Sequence, residues 1–347
     1  MIKNFKLVVR KILNFIRKII FLFSNFFFFL FCKYIKKPSV VYLGSINHSN
    51  LGDHAICISA LKLMKNHGIK CVDIMQRELT KNFEKWIERK RICIALRGCG
   101  NIGNVWLREE EFHRYVIKRF PNNKILFFPE SIFFTEDDLG KKESLISSKI
   151  YSSHRNLTIF VRDKISFERA LNLFDRKIIR LVPDIVFYLR DTIKKKEHKN
   201  LEKVLFLIRN DKETNKENSK ILHELIEYFK IQNVDVEISN TISSKRIIGR
   251  TSRNRYLNRF FAKMLSADLI VTDRLHGMIF SYCLDIPFIA FDNSNKKVKS
   301  SFEWIQNSGY GVFYTGQTDF LTLIEKSFSC KGCSKFDFSS IIASIKK

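Results

Sequence analysis

The stretch Leu269-Ile270-Val271-Thr272-Asp273-Arg274-Leu275-His276-Gly277 combines an apolar run with a charged turn. Its first three residues are typical of a buried strand, and the apolar segment that begins at Met278 is typical of a helix packed against that strand. The sequence therefore places an aspartate, an arginine and a histidine between a strand and a helix. In open α/β sheets ligands bind at the carboxyl ends of strands, and helix N-termini favour anions. An arginine fork beside a histidine suits a phosphate or a carboxylate, although a surface salt bridge after a core strand would give the same pattern.

Short apolar runs alternate with amphipathic stretches from residue 38 onward, which predicts parallel strands joined by crossover helices. The first of these helices is expected from Asp53 to Lys65. A polar, lysine-rich segment from Arg190 to Glu202 interrupts the alternation, and we place a domain boundary there. The sequence thus predicts an α/β protein with a terminal segment 1–37, a domain 38–195 and a second domain 196–347. The predicted strands are Val40–Leu43, Cys71–Ile74, Ile92–Leu96, Ile125–Phe128, Leu157–Val161, Ile178–Val182, Val204–Ile208, Val234–Ile238, Leu269–Val271 and Phe288–Phe291.

Polar, glycine and proline residues gather after these strands. Two sheets that face each other across a cleft would bring such residues together, which favours a cleft enzyme over a scaffold. Gly98-x-Gly100-x-x-Gly103 formally matches the dinucleotide-binding fingerprint, but it follows the third strand and lacks an acidic ribose-binding partner. We interpret it as a tight backbone turn near a ligand. His48 lies in another Gly/Asn loop and is also compatible with a simple turn.

The composition of the chain limits the classes of molecule that it is expected to bind. The formal net charge is +26 over 347 residues, which suggests an anionic partner. Lys and Arg are spread along the whole chain without a basic-aromatic motif, so we expect no nucleic acid and favour anionic substrates or membrane lipids. The eight cysteines are scattered and fit a reducing cytoplasm, and the single Cys330-Lys331-Gly332-Cys333 pair is weak evidence for zinc. We therefore predict no metal site.

The first 37 residues contain nine Lys or Arg and no acidic residue. Within them, Ile19–Cys32 is an apolar, Phe-rich run of 14 residues. A spanning helix needs roughly 18–20 residues, and no small-residue cleavage site follows the run. The pattern favours a peripheral or monotopic anchor on an anionic leaflet at the cytoplasmic face of the cell membrane. A spanning helix and a buried or partner-binding helix are the alternatives.

Polar and glycine-containing motifs follow one another in a definite order over roughly residues 40–305. They are Asn47–Asp53, Gly98–Gly103, Phe128–Ile132, Val161–Ser166, Val182–Asp184, Arg209–Glu213, Thr272–Gly277 and Asp292–Ser294, followed by Lys297. Each motif alone is weak, but in this order the set resembles the polysaccharide pyruvyl transferase family. One departure is Glu130, which stands where the family usually has Gln.

The resemblance implies two Rossmann-like halves arranged as in GT-B glycosyltransferases. It also implies transfer of a pyruvyl unit from phosphoenolpyruvate to saccharide hydroxyls, as a ketal, in capsule, exopolysaccharide or other cell-surface glycan synthesis. Phosphoenolpyruvate is then a donor substrate, and no bound cofactor is expected. The family's lysine maps onto Lys297, although Lys296 is adjacent. The resulting substrate-binding set is Arg162, Arg274, Leu275, His276, Lys297, Asn47, Gly52 and Asn101.

The reaction requires a proton at C3 of the enol, attack of a hydroxyl at C2 and loss of phosphate. We expect His276 to deliver that proton or to hold the phosphate. Asp53 or Asp273 is expected to act as the base toward the acceptor, and a purely structural role is the alternative for each. The basic N-terminal segment suits a lipid-linked acceptor. Two other functions remain open: a sugar-nucleotide glycosyltransferase on the same architecture, and a basic membrane-associated binding protein without catalysis.

Overall fold

A computed structural model gives the architecture of the chain. It describes residues 23, 25–193, 195–196, 200–209, 214–316, 319–329 and 332–346. Most of the predicted apolar N-terminal segment, residues 1–22 and 24, lies outside the described residues, as do part of the Arg209–Glu213 motif and Cys330.

Parallel strands and crossover helices alternate along the described chain, which confirms the predicted α/β class. Each predicted strand is present, with its ends within two residues of the expected positions. The strands are β1 Val40–Leu43, β2 Cys71–Asp73, β3 Cys93–Leu96, β4 Ile102–Gly103, β5 Ile125–Glu130, β6 Ile132–Phe133, β7 Leu157–Val161, β8 Ile179–Leu181, β9 Lys203–Leu207, β10 Asp235–Ser239, β11 Leu269–Thr272, β12 Phe288–Ala290 and β13 Val312–Phe313.

The α-helices follow the strands as connections on both faces of the sheets. Three short 3₁₀ helices, at Gln76–Glu78, Arg176–Ile178 and Ile185–Thr192, complete the described regular structure of the two halves. The α-helices are α1 Leu51–Asn66, α2 Lys81–Lys90, α3 Leu107–Arg119, α4 Asp138–Ser152, α5 Lys164–Leu173, α6 Lys216–Ile231, α7 Arg253–Leu265, α8 Leu275–Leu284, α9 Lys297–Phe302, α10 Phe320–Ser327 and α11 Ser339–Lys346.

Two parallel sheets organise the molecule. The first has the order β2-β1-β3-β5-β7-β8, and the second has the order β10-β9-β11-β12-β13. Each sheet therefore reverses its direction of growth once, between β1 and β3 in the first and between β9 and β11 in the second. Such a reversal leaves a crevice at the carboxyl ends of the two strands, where α/β proteins bind ligands.

Successive side chains along each strand pack into different hydrophobic cores. In β1, Val40 and Tyr42 point into the core between the two sheets, whereas Val41 and Leu43 point into the outer core of the first sheet. The central core also receives Leu205 and Leu207 of β9, and Val204 and Phe206 pack on the opposite face. The central strands of both sheets are thus buried on two faces, which explains why they are largely apolar runs, whereas the edge strand β10 alternates polar and apolar residues and is partly exposed.

The C-terminal helix α11 returns to the first half of the molecule. Ile341 and Ile342 lie in the core between the two sheets, and α11 contacts β5. The ring of Phe338 packs edge-on against Tyr188, with centroids 5.8 Å apart. The last helix of the predicted domain 196–347 therefore helps to join the two halves. The division at residue 195 stays a prediction.

The described end of the N-terminal segment lies against the first sheet's outer core. Residues 25–30 are α-helical and continue into a π-helix, Phe31–Lys36. Phe28 and Phe29 pack on the ring of Phe83, and Cys32 is fully buried. Within the described residues, no helix is both long enough and apolar enough to cross a bilayer.

Candidate active site

A cavity of about 430 Å³ lies where the carboxyl ends of the two sheets meet. The loops after β1 and β3 line it from the first half, and the residues after β9 and β11 line it from the second half. Both topological switch points thus open into one space. Its wall includes Asp53, Asn101, Arg162, Arg274, Leu275, His276 and Lys297, all of which the sequence predicted as site residues.

Arg162 is held rigidly after β7. Only 1% of its surface is exposed, its Nη1 donates to Asp184 Oδ2 at 2.8 Å, and its Nε donates to Ser131 Oγ at 2.7 Å. Asp184 is equally buried and caps the following 3₁₀ helix by accepting the backbone N–H of Val186. A buried guanidinium needs such partners because an unpaired buried charge is strongly unfavourable. The arginine therefore reaches the cavity with its orientation already fixed.

The glycine loop after β3 folds around a carboxylate of its own chain. The backbone N–H groups of Cys99, Gly100 and Asn101 all point at the fully buried Glu130 carboxylate, at 2.6–3.4 Å. Burial raises the pKa of Glu130, and the positive charge of Arg162 opposes that rise. Three successive amides that could cradle a phosphate are therefore directed at Glu130. The loop then forms β4, which pairs with β6 and was not predicted from the sequence.

His276 lies in the first turn of α8, beside Gly52 in the first turn of α1. A Cβ at Gly52 would overlap the imidazole ring, so the close approach of α1 and α8 depends on this glycine. The Nε2 atom is buried and has no hydrogen-bond partner among the described residues, and its nearest carboxylate oxygen is Asp184 Oδ2 at 3.9 Å. Burial and the nearby charges of Arg162 and Lys297 lower the pKa of His276 to about 4, although Asp184 opposes the change.

Asp273 is placed differently from the expected base. Its side chain is 2% exposed, lies outside the cavity wall and accepts the backbone N–H of Arg209 at 2.9 Å. Burial raises the pKa of Asp273 to about 6, and this hydrogen bond opposes the shift. The carboxylate fixes the start of the loop after β9, so the geometry supports the structural alternative that the sequence left open for it.

Asp53 faces the cavity from α1 and pairs with His48. Its Oδ2 atom lies 3.5 Å from His48 Nε2 and accepts from Asn50 Nδ2 at 3.1 Å. His48 is held in turn by the loop, since its Nδ1 accepts the backbone N–H of Asn50 at 3.3 Å. Because 46% of the His48 side chain is exposed, this pair is open to a ligand.

The remaining predicted residues divide into two groups. Lys297 lines the cavity at the start of α9, whereas the adjacent Lys296 lies outside its wall, so the structure separates the two lysines. Asn47 and Gly52 also lie outside the wall: Asn47 faces a neighbouring cavity, and Gly52 supports His276.

Five charged or aromatic residues of the wall were not predicted as site residues: His48, Arg97, Trp106, Glu109 and Arg209. Arg97 directly follows β3 and Arg209 lies two residues after the end of β9, so their position after switch-point strands was the signal that could have found them. Trp106 and Glu109 follow the unpredicted β4 and carry no comparable signal. No cluster of metal-ligating side chains is present among the described residues; of the predicted cysteine pair, Cys330 lies outside their range and Cys333 is an exposed free thiol.

The contact between Gly52 and His276 gives a direct test of the site's construction. Gly52→Ala should displace the imidazole or push α1 away, because the added methyl overlaps the ring. We expect a shifted His276 ring signal in NMR spectra and a loss of stability of about 1–3 kcal/mol in denaturant titrations. Gly249→Ala is the matched control, since a Cβ there meets nothing within 4 Å. An unmoved His276 signal in Gly52→Ala would contradict the assignment.

Known proteins are similar to this chain in sequence or in fold. General stress protein 30 of Bacillus subtilis is 28% identical over 288 residues, which cover 82% of this chain and 82% of that protein. Pyruvyl transferase 1 of Schizosaccharomyces pombe is 27% identical over 293 residues, which cover 78% of this chain and 70% of that protein. A crystal structure of an uncharacterized Klebsiella pneumoniae protein has a TM-score of 0.55 at 17% identity, covering 80% of this chain and 92% of that chain, which shows a common fold.

The family model described as polysaccharide pyruvyl transferase matches residues 50–295. This range runs from the cap of α1 to the residues just before Lys297, and it includes Asp53, Arg162, Arg274 and His276. The match confirms the resemblance drawn from the motifs. The chain belongs to the polysaccharide pyruvyl transferase family.

Proposed function

We propose that the protein transfers a pyruvyl group from phosphoenolpyruvate to saccharide hydroxyls in the synthesis of a capsule, exopolysaccharide or other cell-surface glycan. The observation that carries the proposal is the charge of the cavity wall. Lys and Arg side chains from both halves converge there with His276, against the two carboxylates of Asp53 and Glu109. Phosphoenolpyruvate carries a phosphate and a carboxylate, and two separated anionic groups match a wall with several fixed cations. The converging cations are Arg97, Arg162, Arg209, Arg274 and Lys297.

We assign the reaction of phosphoenolpyruvate to the side of the cavity at the start of α8. Protonation of C3 generates a cationic C2, which two acceptor hydroxyls attack in turn as the C2–O bond to phosphate breaks. One proton is taken up by C3, two leave the hydroxyls and one accompanies the phosphate. Bound phosphate beside His276 would raise the pKa of its imidazole, since an anion favours the charged form. His276 would then hold a proton that it lacks in the free protein.

The acceptor proton is assigned to the pair formed by Asp53 and His48. Both side chains line the cavity, and both retain access to a ligand. Asp53 can take the proton directly, and His48, whose Nε2 faces the carboxylate, can position it. Asp273 does not share this access because it is buried against the backbone of Arg209.

The glycosyltransferase alternative receives less support from the loop chemistry. A sugar nucleotide brings a diphosphate, which glycine-rich loops commonly bind through backbone amides. Here the amides of Cys99, Gly100 and Asn101 are directed at Glu130. A non-catalytic binding role is disfavoured by the convergence of His276, Asp53 and the cations in one cavity. We keep a GT-B-like pair of Rossmann-like domains, divided near residue 195, as the architecture of this proposal.

The proposal includes a lipid-linked acceptor and contact with the cytoplasmic face of an anionic membrane. The described end of the N-terminal segment supports it with exposed aromatic side chains: Phe23, Phe26 and Phe27 are 61%, 51% and 63% exposed. The opposite side of the same helix is buried against Phe83 and Trp86. Such a two-sided helix fits a peripheral anchor that is also fixed to the body of the protein.

The donor site is tested at Arg274. Its removal should weaken phosphoenolpyruvate binding by about one to two orders of magnitude, because a charge-assisted hydrogen bond contributes roughly 1.5–3 kcal/mol. Calorimetry on folded Arg274→Ala, with exposed Arg180→Ala as the control, measures the effect. Arg162 is the poorer target since its loss leaves the buried Asp184 unpaired, at a cost of about 3–5 kcal/mol. Unchanged binding in Arg274→Ala would remove the arginine from the donor site.

The protonation of His276 is tested by NMR titration. In the free protein its ring should stay neutral as the pH falls until about pH 4. Saturating phosphoenolpyruvate should move the His276 midpoint upward, because the bound anion favours the imidazolium. The His276→Gln spectrum assigns the signal. A midpoint that does not move, or that falls, would mean that the donor's anionic groups bind away from His276.

Membrane contact is tested in the full chain by sedimentation with vesicles that contain anionic lipid. Replacing Phe23, Phe26 and Phe27 with Ser should reduce sedimentation strongly, because burial of each large side chain contributes about 1.5–3 kcal/mol. Salt should release the unaltered protein only in part, since screening weakens the basic contribution alone. The matched control replaces Leu145 and Leu321, which are 70% and 58% exposed, with Ser. Equal sedimentation of both variants would move membrane contact away from the N-terminal helix.

A further inference from the structure

A second cavity of about 250 Å³ adjoins the donor cavity on the side of the first half. It lies at the carboxyl ends of β1, β2 and β3, and the residues after these strands form much of its wall. His48, Arg97 and Glu109 line both cavities, so the two spaces share one wall. The donor cations of the second half, Arg274 and Lys297, line only the first cavity.

The wall of the second cavity is basic. Arg77, Arg97 and Arg108 line it, and Glu109 is the carboxylate among its lining residues. The ion pair between Arg97 and Glu109 is loose, with Nη2 and Oε2 3.8 Å apart. Arg77 and Arg108 both have exposed side chains, which leaves them accessible from solvent. An anionic group that entered this cavity would meet guanidinium groups from three separate segments of the chain.

The rest of the wall suits a sugar. Asn47 and Gln76 present exposed amides, which can donate to and accept from hydroxyl groups. Phe112 contributes a partly buried aromatic ring against which an apolar sugar face can pack. Asn47, which the sequence predicts as a substrate-binding residue, lines this cavity.

The shared wall relates the second cavity to the reaction. His48 faces both spaces and lies 3.5 Å from Asp53, the pair assigned to the acceptor proton. A saccharide in the second cavity would therefore bring its hydroxyls to this pair from a space that Arg274 does not line. The donor and the acceptor would then approach the same two side chains from different cavities.

We propose that the second cavity binds an acceptor saccharide that carries an anionic group, and that Arg77 and Arg108 recognise that group. The anion is a phosphate or a carboxylate of the acceptor, since guanidinium groups bind both. The inference rests on the proposed pyruvyl transfer for the identity of the ligand as an acceptor. Recognition of an anionic saccharide can be measured by binding alone, without turnover.

Binding of small probes separates the two levels of the proposal. Hexose 1-phosphates, methyl hexuronides and neutral methyl hexosides of gluco, galacto and manno configuration are titrated into the full chain by calorimetry. At least one anionic probe should bind about tenfold or more tightly than its neutral counterpart, as expected for one charge-assisted contact. The phosphate and carboxylate series identify which anion is recognised.

The deciding comparison uses two double variants with the same change in charge. Arg77→Ala/Arg108→Ala should lose the preference for the anionic probe and retain phosphoenolpyruvate affinity. Arg89→Ala/Arg155→Ala should keep both the preference and the phosphoenolpyruvate affinity. These exposed residues precede β3 and β7 and therefore lie at the amino ends of the strands, away from both cavities.

Three results would overturn the inference: no preference for an anionic probe in the unaltered protein, a preference that survives in Arg77→Ala/Arg108→Ala, or an equal loss in the two double variants. A loss of phosphoenolpyruvate affinity in Arg77→Ala/Arg108→Ala would also overturn it, because the cavity would then belong to the donor. Failure of the proposed function itself is seen separately, as an absence of phosphoenolpyruvate binding by the unaltered protein.

Discussion

The buried ion pair between Arg162 and Asp184 is the constraint on which the rest of the site depends. Both side chains are 1% exposed, and their atoms approach to 2.8 Å. Placing a guanidinium at a cavity inside a protein is unfavourable unless nearby carboxylates compensate its charge. Asp184 provides that compensation, and the same carboxylate lies 3.9 Å from His276. One aspartate therefore stabilises the arginine and sets the electrostatic environment of the histidine.

Glu130 extends the same principle to the backbone. Its carboxylate receives the amides of the glycine loop and contributes to the field around Arg162. The loop is thus shaped before any ligand binds, and Asn101 reaches the cavity wall in a fixed position. An arginine and a loop that are already fixed in position can bind an anionic ligand without rearrangement, which lowers the entropic cost of binding.

The sequence predicted the strands, and most of the site residues that it predicted line the cavity, because both follow from local patterns. Fully buried parallel strands are apolar runs, and Arg162 and Arg274 of the cavity wall lie within two residues of the strand ends. The sequence predicted the position of a side chain along the chain better than the direction in which it points. Asp273 and Arg274 are neighbours, yet one carboxylate turns inward to the backbone of Arg209 while the arginine faces the cavity. No sequence pattern distinguishes these orientations.

Long-range pairings were also invisible in the sequence. The short strands β4 and β6 are two residues each, too brief for a hydrophobic period, and β4 leads the chain to Trp106 and Glu109 in the cavity wall. Gly52, predicted to bind substrate, lies outside the cavity wall and packs against the ring of His276, which is more than two hundred residues away in the sequence. Close packing between distant segments decides such roles, and it becomes apparent only in the folded chain.

The central claim is that this cavity moves a pyruvyl group and releases inorganic phosphate. The most direct measurement incubates the protein with isotopically labelled phosphoenolpyruvate and with surface glycans and their lipid-linked precursors extracted from the producing cells. Phosphate release and the glycan's NMR spectrum are then followed together. The account predicts phosphate release that depends on the acceptor, together with a labelled ketal methyl signal on the glycan, and neither in His276→Ala. Nucleotide release from a sugar nucleotide, with no label transferred from phosphoenolpyruvate, would contradict it.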